Sequence, residues 1–365
     1  MFQSFLKSLF KLDWLLIFSV MVLLVHGLLA IYSLSLSREP DTFFTLKKQF
    51  VAIGLGLLAM IFIAKMSYKT LRSFSLIIYV AANAMLVAVL VLGKAIRGTT
   101  GWFEIGPINF QPVECAKIAV IIVLARYFAA HTRDSLRWRE VFESAVLVGI
   151  PVALTMLQPD LGSALVLLGM WTLYLIVVGL RKRVFIALVL GVILIATSGW
   201  FMMAPYQKDR ITVFMHPESD PLGQGYNVTQ ARIAIGAGGF FGRGVGFGSQ
   251  SQLRFLPESM TDFIVSVIGE ELGFVGMLIL LLAFAFTFYR LVRVAENAAD
   301  DFGSMLALGV LFLILIQFSV NIGMNLSMLP VTGITLPFVS YGASSLIFML
   351  IALGIAQSVA SEGKR

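Results

Sequence analysis

Stretches of about 20 mostly apolar residues recur along the whole chain, and that recurrence restricts its fold more than any short motif does. Backbone at bilayer depth finds no water, so its N–H and C=O groups must pair within helices or within a closed barrel. Segments this long and this apolar are helices. With 59% hydrophobic and only 13% charged residues, the composition fits no soluble domain of 365 residues. The expected fold is an all-α polytopic membrane protein, one integral membrane domain over 1–365 with about ten transmembrane helices.

Residues 1–13, MFQSFLKSLFKLD, alternate apolar residues with Lys7 and Lys11, as an interfacial segment does. The apolar run from Trp14 is too long for a signal-peptide core and lacks a cleavage site, so it reads as an uncleaved first span. Further spans are expected at about 49–65, 74–93, 112–130, 142–157, 161–179, 184–204, 263–289, 303–325 and 341–360. Lysine and arginine set the orientation. With the N-terminus inside, the cytoplasmic segments hold Lys65, Lys69, Arg72, Arg133, Arg137, Arg139, Arg181, Lys182, Arg183, Arg290, Arg293, Lys364 and Arg365. The outer loops hold only Arg38, Lys47, Lys48, Lys94 and Arg97 apart from one long connection. Both termini of this multi-pass chain are therefore expected on the cytoplasmic side of its membrane.

That connection, 205–262, is a large extracytoplasmic loop between the seventh and eighth helices, and loops of this length are usually functional or disordered. Its glycine-dense run IGAGGFFGRGVGFG asks for tight turns or close backbone approach. The dinucleotide fingerprint is excluded, because Phe241 stands where the third glycine after Gly236 and Gly238 would be. The single cysteine, Cys115, allows no internal disulfide and no thiolate metal cluster. The net charge of +7 is mostly topogenic, and no basic stripe interleaved with aromatics indicates nucleic acid.

Ionisable groups at or within the membrane are costly and mark function by default. Asp262 stands directly before the apolar run from Phe263, where the first-turn amides and dipole of a helix favour a negative charge. Its bland role would be to cap that helix. On the helix it was expected to begin, Ser266, Gly269 and Gly273 share its face. Glu270 and Glu271 lie about 80° and about 180° away, so both cannot line that surface and at least one is expected to partner another helix. In FQPVECAK, Gln111-Pro112 opens a span, and Glu114 and Lys117 sit on one face where they neutralise each other or lock helices together. In NIGMNLSMLPVTGITLPFVSYGASS, prolines and glycines interrupt apolar sequence, as happens where backbone lines a cavity. Ser340, Tyr341, Ser344 and Ser345 offer hydroxyls there. Arg210, Arg232, Arg243 and Arg254 from the loop, with Lys94 and Arg97, surround one carboxylate with guanidinium and ammonium groups beside hydrocarbon, a setting for phosphate on a lipid.

FQPVECAK, QPDLGSALV, DPLGQGYNVTQARIAIGAGG, QSQLRFLPESMTDF, EELGFVG and LPVTGITLPFVSYGASS, in this order over nearly the whole chain, resemble the SEDS family (shape, elongation, division and sporulation). QSQLRFLPESMTDF and the short N-terminus look more like the rod-shape elongation branch than the division branch. The chain departs from the family pattern at Val113, Thr335, Ala343 and the NLSMLP stretch, places that shape local backbone.

The resemblance implies a peptidoglycan glycosyltransferase that polymerises lipid II, with Asp262 as general base. It implies Glu114, Lys117 and Gln111 shaping the cavity, Arg210 and Gln230 touching substrate, Glu258 supporting the outer segment and Ser340 offering a hydroxyl. It implies undecaprenyl pyrophosphate-linked glycan as co-substrate and a class B penicillin-binding protein as transpeptidase partner. No Ser-x-x-Lys transpeptidase signature is present. No metal ligands or cofactor are assigned, although a divalent cation would serve a pyrophosphate leaving group. The competing readings are a lipid II flippase and a non-enzymatic scaffold of the wall-synthesis complex.

Overall fold

The computed structural model describes residues 11–36, 42–96, 99–105, 108–131, 135–188, 190–191, 208, 212–216, 218, 220 and 223–363. Its helices are α1 (Trp14–Leu36), α2 (Thr42–Lys65), α3 (Tyr68–Leu92), α4 (Pro112–Ala129), α5 (Trp138–Met156) and α6 (Leu161–Val178). After these come α7 (Gln224–Ala237), the short α8 (Ser249–Gln252), α9 (Ile264–Glu296), α10 (Asp301–Asn325) and α11 (Ala343–Glu362). Among the described residues seven helices are long and apolar enough to cross a membrane, namely α1, α2, α3, α6, α9, α10 and α11. Helices α4 and α5 reach 18 and 19 residues. Their hydropathy is lowered by Glu114, Lys117 and Arg126 in one and by Arg139, Glu140 and Glu143 in the other. Most of the expected span 184–204 lies outside the described residues.

Two expectations need correction. The fold is not purely helical: β1 (Lys94–Ile96), β2 (Thr99–Ile105) and β3 (Ile108–Phe110) form a small antiparallel sheet in chain order. Thr99, Thr100, Trp102 and Phe103 suit a pleated ribbon, and hydropathy alone reads such a stretch as a loop. Helix bounds also shift. Helix α2 begins at Thr42 rather than about 49, and α9 continues past 289 to Glu296, because charged residues at helix ends fall outside an apolar window.

Helix α10 is the hub. It packs against α4, α6, α9 and α11 and buries Leu306, Val310, Leu313 and Ile314. Helix α11 lies along α2, where Gly354 admits the Met60 backbone so closely that a Cβ would strike its carbonyl. The outward faces stay apolar, with Leu58, Phe62, Phe142 and Leu282 all more than half exposed. Such a surface suits hydrocarbon and not water.

Hydrogen bonds sort the helix ends into two groups. One end joins Arg290 to Asp13 (2.6 Å), Gln357 to the Asp13 backbone, Tyr68 to Asp300 (3.0 Å) and Arg126 to Ser75 (2.7 Å). The other end joins Gln252 to Ser33 (2.9 Å), Gln158 to Leu86, Gln111 to Ser344 and Ser340 to Thr261. Helices α1 to α6 alternate in direction, whereas α11 runs parallel to α2, with Gln49 beside Ser340 and Met60 beside Gly354. These directions put 158–162, 246–262 and 321–344 together on one side.

Candidate active site

Asp262 does not sit in the first turn of α9 as its sequence position predicts. Turns occupy 257–263, and α9 has Phe263 as its N-cap with no side-chain capping bond. Glu258 adopts φ 51°, and its carbonyl accepts the amides of Thr261 (3.1 Å), Asp262 (3.1 Å) and Phe263 (3.3 Å). One carbonyl thus gathers three donors and fixes the coil ahead of the helix. Thr261 Oγ1 also donates to Glu258 Oε2 at 3.0 Å. Glu258 therefore shapes this segment through its backbone and its carboxylate together.

The Asp262 backbone is held from α10. Asn325 Nδ2 donates to the Asp262 carbonyl at 2.9 Å and Asn321 Nδ2 does so at 3.2 Å. Asn321 Nδ2 also reaches the Ile334 carbonyl at 2.7 Å, and Asn325 Oδ1 accepts from Ser266 Oγ at 2.8 Å. Both asparagines are fully buried. The interrupted segment 326–342 closes the other side. Ser340 Oγ donates to the Thr261 carbonyl at 2.6 Å and accepts the Leu336 amide at 2.9 Å, while the Tyr341 amide donates to the Met260 carbonyl at 2.8 Å. Gln49, near the start of α2, supports Ser340 and Gly342 from behind. The Asp262 side chain remains half-buried, with Oδ2 beside the bare backbone of Gly333 at φ 75°; a Cβ there would stand 3.8 Å from it. A clamped backbone thus carries an aspartate that is only partly buried.

Glu114 and Lys117 form an ion pair of 2.9 Å at the start of α4, both buried, and Glu114 Oε2 has no hydrogen-bond partner. Gln111 is tied by its amide to Ser344 Oγ (3.2 Å) and by its side chain to Asp160 (3.4 Å), which caps α6 through the Ser163 amide. The pair thus joins the Asp262 group through Gln111 and the 340–344 segment, not by lying in the same turn. Gln230 is half-buried on α7, which packs on α9. Arg210 and Arg97 lie outside the described residues, and of Lys94 only the strand backbone is described. Arg232, Arg243 and Arg254 are exposed.

Both α9 glutamates are structural partners. Glu270 accepts the amides of Gln250 (2.8 Å) and Ser251 (2.9 Å) at the start of α8. Glu271 accepts from Ser33, Ser251 (3.2 Å) and Gln252 (3.0 Å). Gly273, expected to share the Asp262 face, instead breaks α9 at φ 63°, ψ −159°. A shallow hollow beside Glu271, bordered by Ala30 and Val245, belongs to this pinned segment. Sequence reasoning missed Asn321, Asn325 and Gln49. Their signal was amides inside apolar runs, with Asn321 and Asn325 four apart on one helix face. Among the described residues no three His, Cys, Asp or Glu side chains converge as metal ligands.

Comparison with known proteins gives consistent results. The family model described as cell cycle protein (FtsW, RodA, SpoVE) matches residues 13–365. The chain is 38% identical to stage V sporulation protein E of Bacillus subtilis (strain 168), over 95% of this chain and 96% of that one. It is 37% identical to the peptidoglycan glycosyltransferase MrdB of Escherichia coli (strain K12), over 97% of this chain and 94% of that one. Among solved structures, it matches a chain from a peptidoglycan synthase complex described as structurally coordinating polymerization and crosslinking. That likeness has TM-score 0.82 and 32% identity, over 96% of this chain and 97% of that one. It also matches the rod shape determining protein RodA of Thermus thermophilus with TM-score 0.73 and 31% identity, over 97% and 98%.

Proposed function

Since this chain belongs to the SEDS family of FtsW, RodA and SpoVE proteins, we propose that it is a peptidoglycan glycosyltransferase whose Asp262 is the general base of lipid II polymerisation. The observation that carries the reading is the contrast at Asp262: its backbone is clamped by buried Asn321 and Asn325, yet the residue itself is only partly buried. A sugar hydroxyl is a poor nucleophile at neutral pH. A positioned base contributes about 10²–10⁴-fold by removing its proton as attack proceeds. In the proposed step the 4-hydroxyl of one disaccharide attacks the anomeric carbon of a glycan held on undecaprenyl pyrophosphate. The new C–O bond forms, the proton passes to Asp262, and the bond to pyrophosphate breaks with its electron pair leaving on phosphate. An α-linked donor gives a β-linked product.

The leaving group needs positive charge more than a proton. The exposed Arg232, Arg243 and Arg254, with Arg210 and Lys94, are the groups proposed to supply it, and Gln230 to contact sugar. Glu114, Lys117 and Gln111 are proposed to hold the wall of the site through Ser344 and the segment that contains Ser340. The topology proposed is ten spans in one domain, termini inside. Supporting it, Leu180 pairs with Leu136 at the basic end, whereas α8 meets Ser33 at the opposite end. Lys65, Lys69, Arg137, Arg290 and Arg293 all belong to the first of these ends, which supports a cytoplasmic side for it by the positive-inside rule.

An elongation role is proposed from QSQLRFLPESMTDF, and a class B penicillin-binding protein as partner from the likeness to a synthase complex. A flippase would concentrate its charges near mid-membrane between two gates. Purified protein with labelled lipid II in vesicles separates the readings. Glycan polymer supports the enzyme, lipid movement without polymer supports a flippase, and neither supports a scaffold.

A further inference from the structure

Helix α9 is 33 residues long, well beyond the span of a bilayer, and its exposure changes abruptly along its length. Residues Ile264 to Glu271 are all buried. From Phe274 an exposed apolar stripe begins and continues through Leu278 and Leu282, at four-residue steps along one face. From Arg290 back to Phe274, short of the break at Gly273, α9 covers about 24 Å at 1.5 Å per residue, most of a hydrocarbon core of about 30 Å. Phe274 therefore lies one turn inside the hydrocarbon boundary, where the lipid-facing stripe starts.

The glycine-rich run after α7 meets α9 at this level. Phe240 stacks on Phe274 with ring centroids 5.5 Å apart, and Phe241 packs edge-on against Phe240 at 5.0 Å. Phe240 and Phe241 are 60% and 79% exposed, a costly state if water surrounded them. Irregular backbone is tolerated at membrane depth only when its polar groups are paired. Here they are. The amides of Arg243 and Gly244 donate to the Glu270 and Glu271 carbonyls, and those of Phe274 and Val275 donate to Gly239 and Phe240. The break at Gly273 and the left-handed Gly242 bring the two chains close enough for this exchange, since a Cβ on either would collide with the other backbone. Arg243 is exposed, its guanidinium is steadied by the Ala237 carbonyl and Ser249, and its amide pairs with Glu270, one turn outward of Phe274.

We infer that residues 239–244 form a membrane-dipping wedge, with Phe240 and Phe241 inserted among lipid chains and Arg243 at the phosphate layer. The wedge continues the lipid-facing stripe of α9 and fixes the depth at which the outer segment, and with it α8, rides on the bilayer. The inference rests on α9 spanning the membrane and not on the enzymatic reading. The test is a nitroxide attached to Phe241→Cys in a Cys115→Ala background, in phosphatidylethanolamine and phosphatidylglycerol vesicles. Leu282→Cys serves as reference. The expected result is collision with oxygen matching that at position 282 and loss of collision with a water-soluble nickel chelate. Strong collision with the chelate at 241, with 282 still protected, overturns the wedge. Loss of both collisions at 241 also overturns it, because a protein surface and not lipid would then cover the rings. Chelate access at 282 would instead refute the span. If the cysteine background fails to fold, Phe241→Trp in the original chain and quenching by bromine-labelled lipid reads the same depth; no quenching beyond that of the parent chain counts against the wedge.

Discussion

Asn325 uses both ends of its amide. The Nδ2 group holds the Asp262 carbonyl while Oδ1 accepts Ser266, so its loss strips the buried Ser266 hydroxyl of this partner and leaves the Asp262 carbonyl with Asn321 alone. Asn325→Leu is expected to cost about 1–3 kcal/mol in stability, and to lower kcat more than KM, because it loosens the placement of Asp262 more than lipid binding. Thermal unfolding in detergent and steady-state kinetics check this. At Lys117 the expectation is harsher. Lys117→Met leaves the buried Glu114 charge unpaired, which costs about 3–5 kcal/mol, whereas Glu114→Gln with Lys117→Met recovers part of the loss. A double mutant no more stable than Lys117→Met would contradict the pairing. The sequence exposed Asp262, Glu114 and Lys117 because charge in apolar surroundings has few cheap explanations. It hid Asn321 and Asn325 because an amide in an apolar helix reads equally well as a helix–helix contact, and only the fold shows which carbonyl it meets.

Hydropathy located the spanning helices well, since a bilayer imposes one length and one composition on them. It did not find the sheet of 94–110, the turns that lift Asp262 out of α9, or the break at Gly273. The sheet and the turns are local, but hydropathy does not tell a hairpin or a turn from a loop; the break at Gly273 depends on backbone from distant sequence, which no local window samples. Gly273 makes the point testable. Its φ 63°, ψ −159° lies in a region essentially reserved for glycine, and a Cβ there would collide with the Gly242 amide. Gly273→Ala is expected to lose about 1–3 kcal/mol from backbone strain alone, and more from the collision. It is also expected to raise tryptic cleavage at Arg243 as the 239–244 strand separates from α9. Stability and cleavage equal to the parent chain would show that the break is not required.

At the scale of the molecule, two sets of helix ends are stitched differently. The basic end is closed by the Asp13–Arg290 pair and Gln357, and the opposite end by amides and hydroxyls that converge on 258–262 and 336–342. A bundle fastened this way holds the segment that carries Asp262 rigid at one end while its sides stay apolar. The order of the spans was legible from the sequence, but the convergence of α2, α4, α10 and α11 on Asp262 was not, because hydropathy carries no information about which helices are neighbours. The central claim is that this carboxylate takes the proton in glycosyl transfer. Polymerisation of labelled lipid II by purified Asp262→Ala, beside the parent chain, tests it most directly. The account expects polymer to fall by at least about 10²-fold with an unchanged unfolding profile; polymer formed by the folded variant at the parental rate would contradict it.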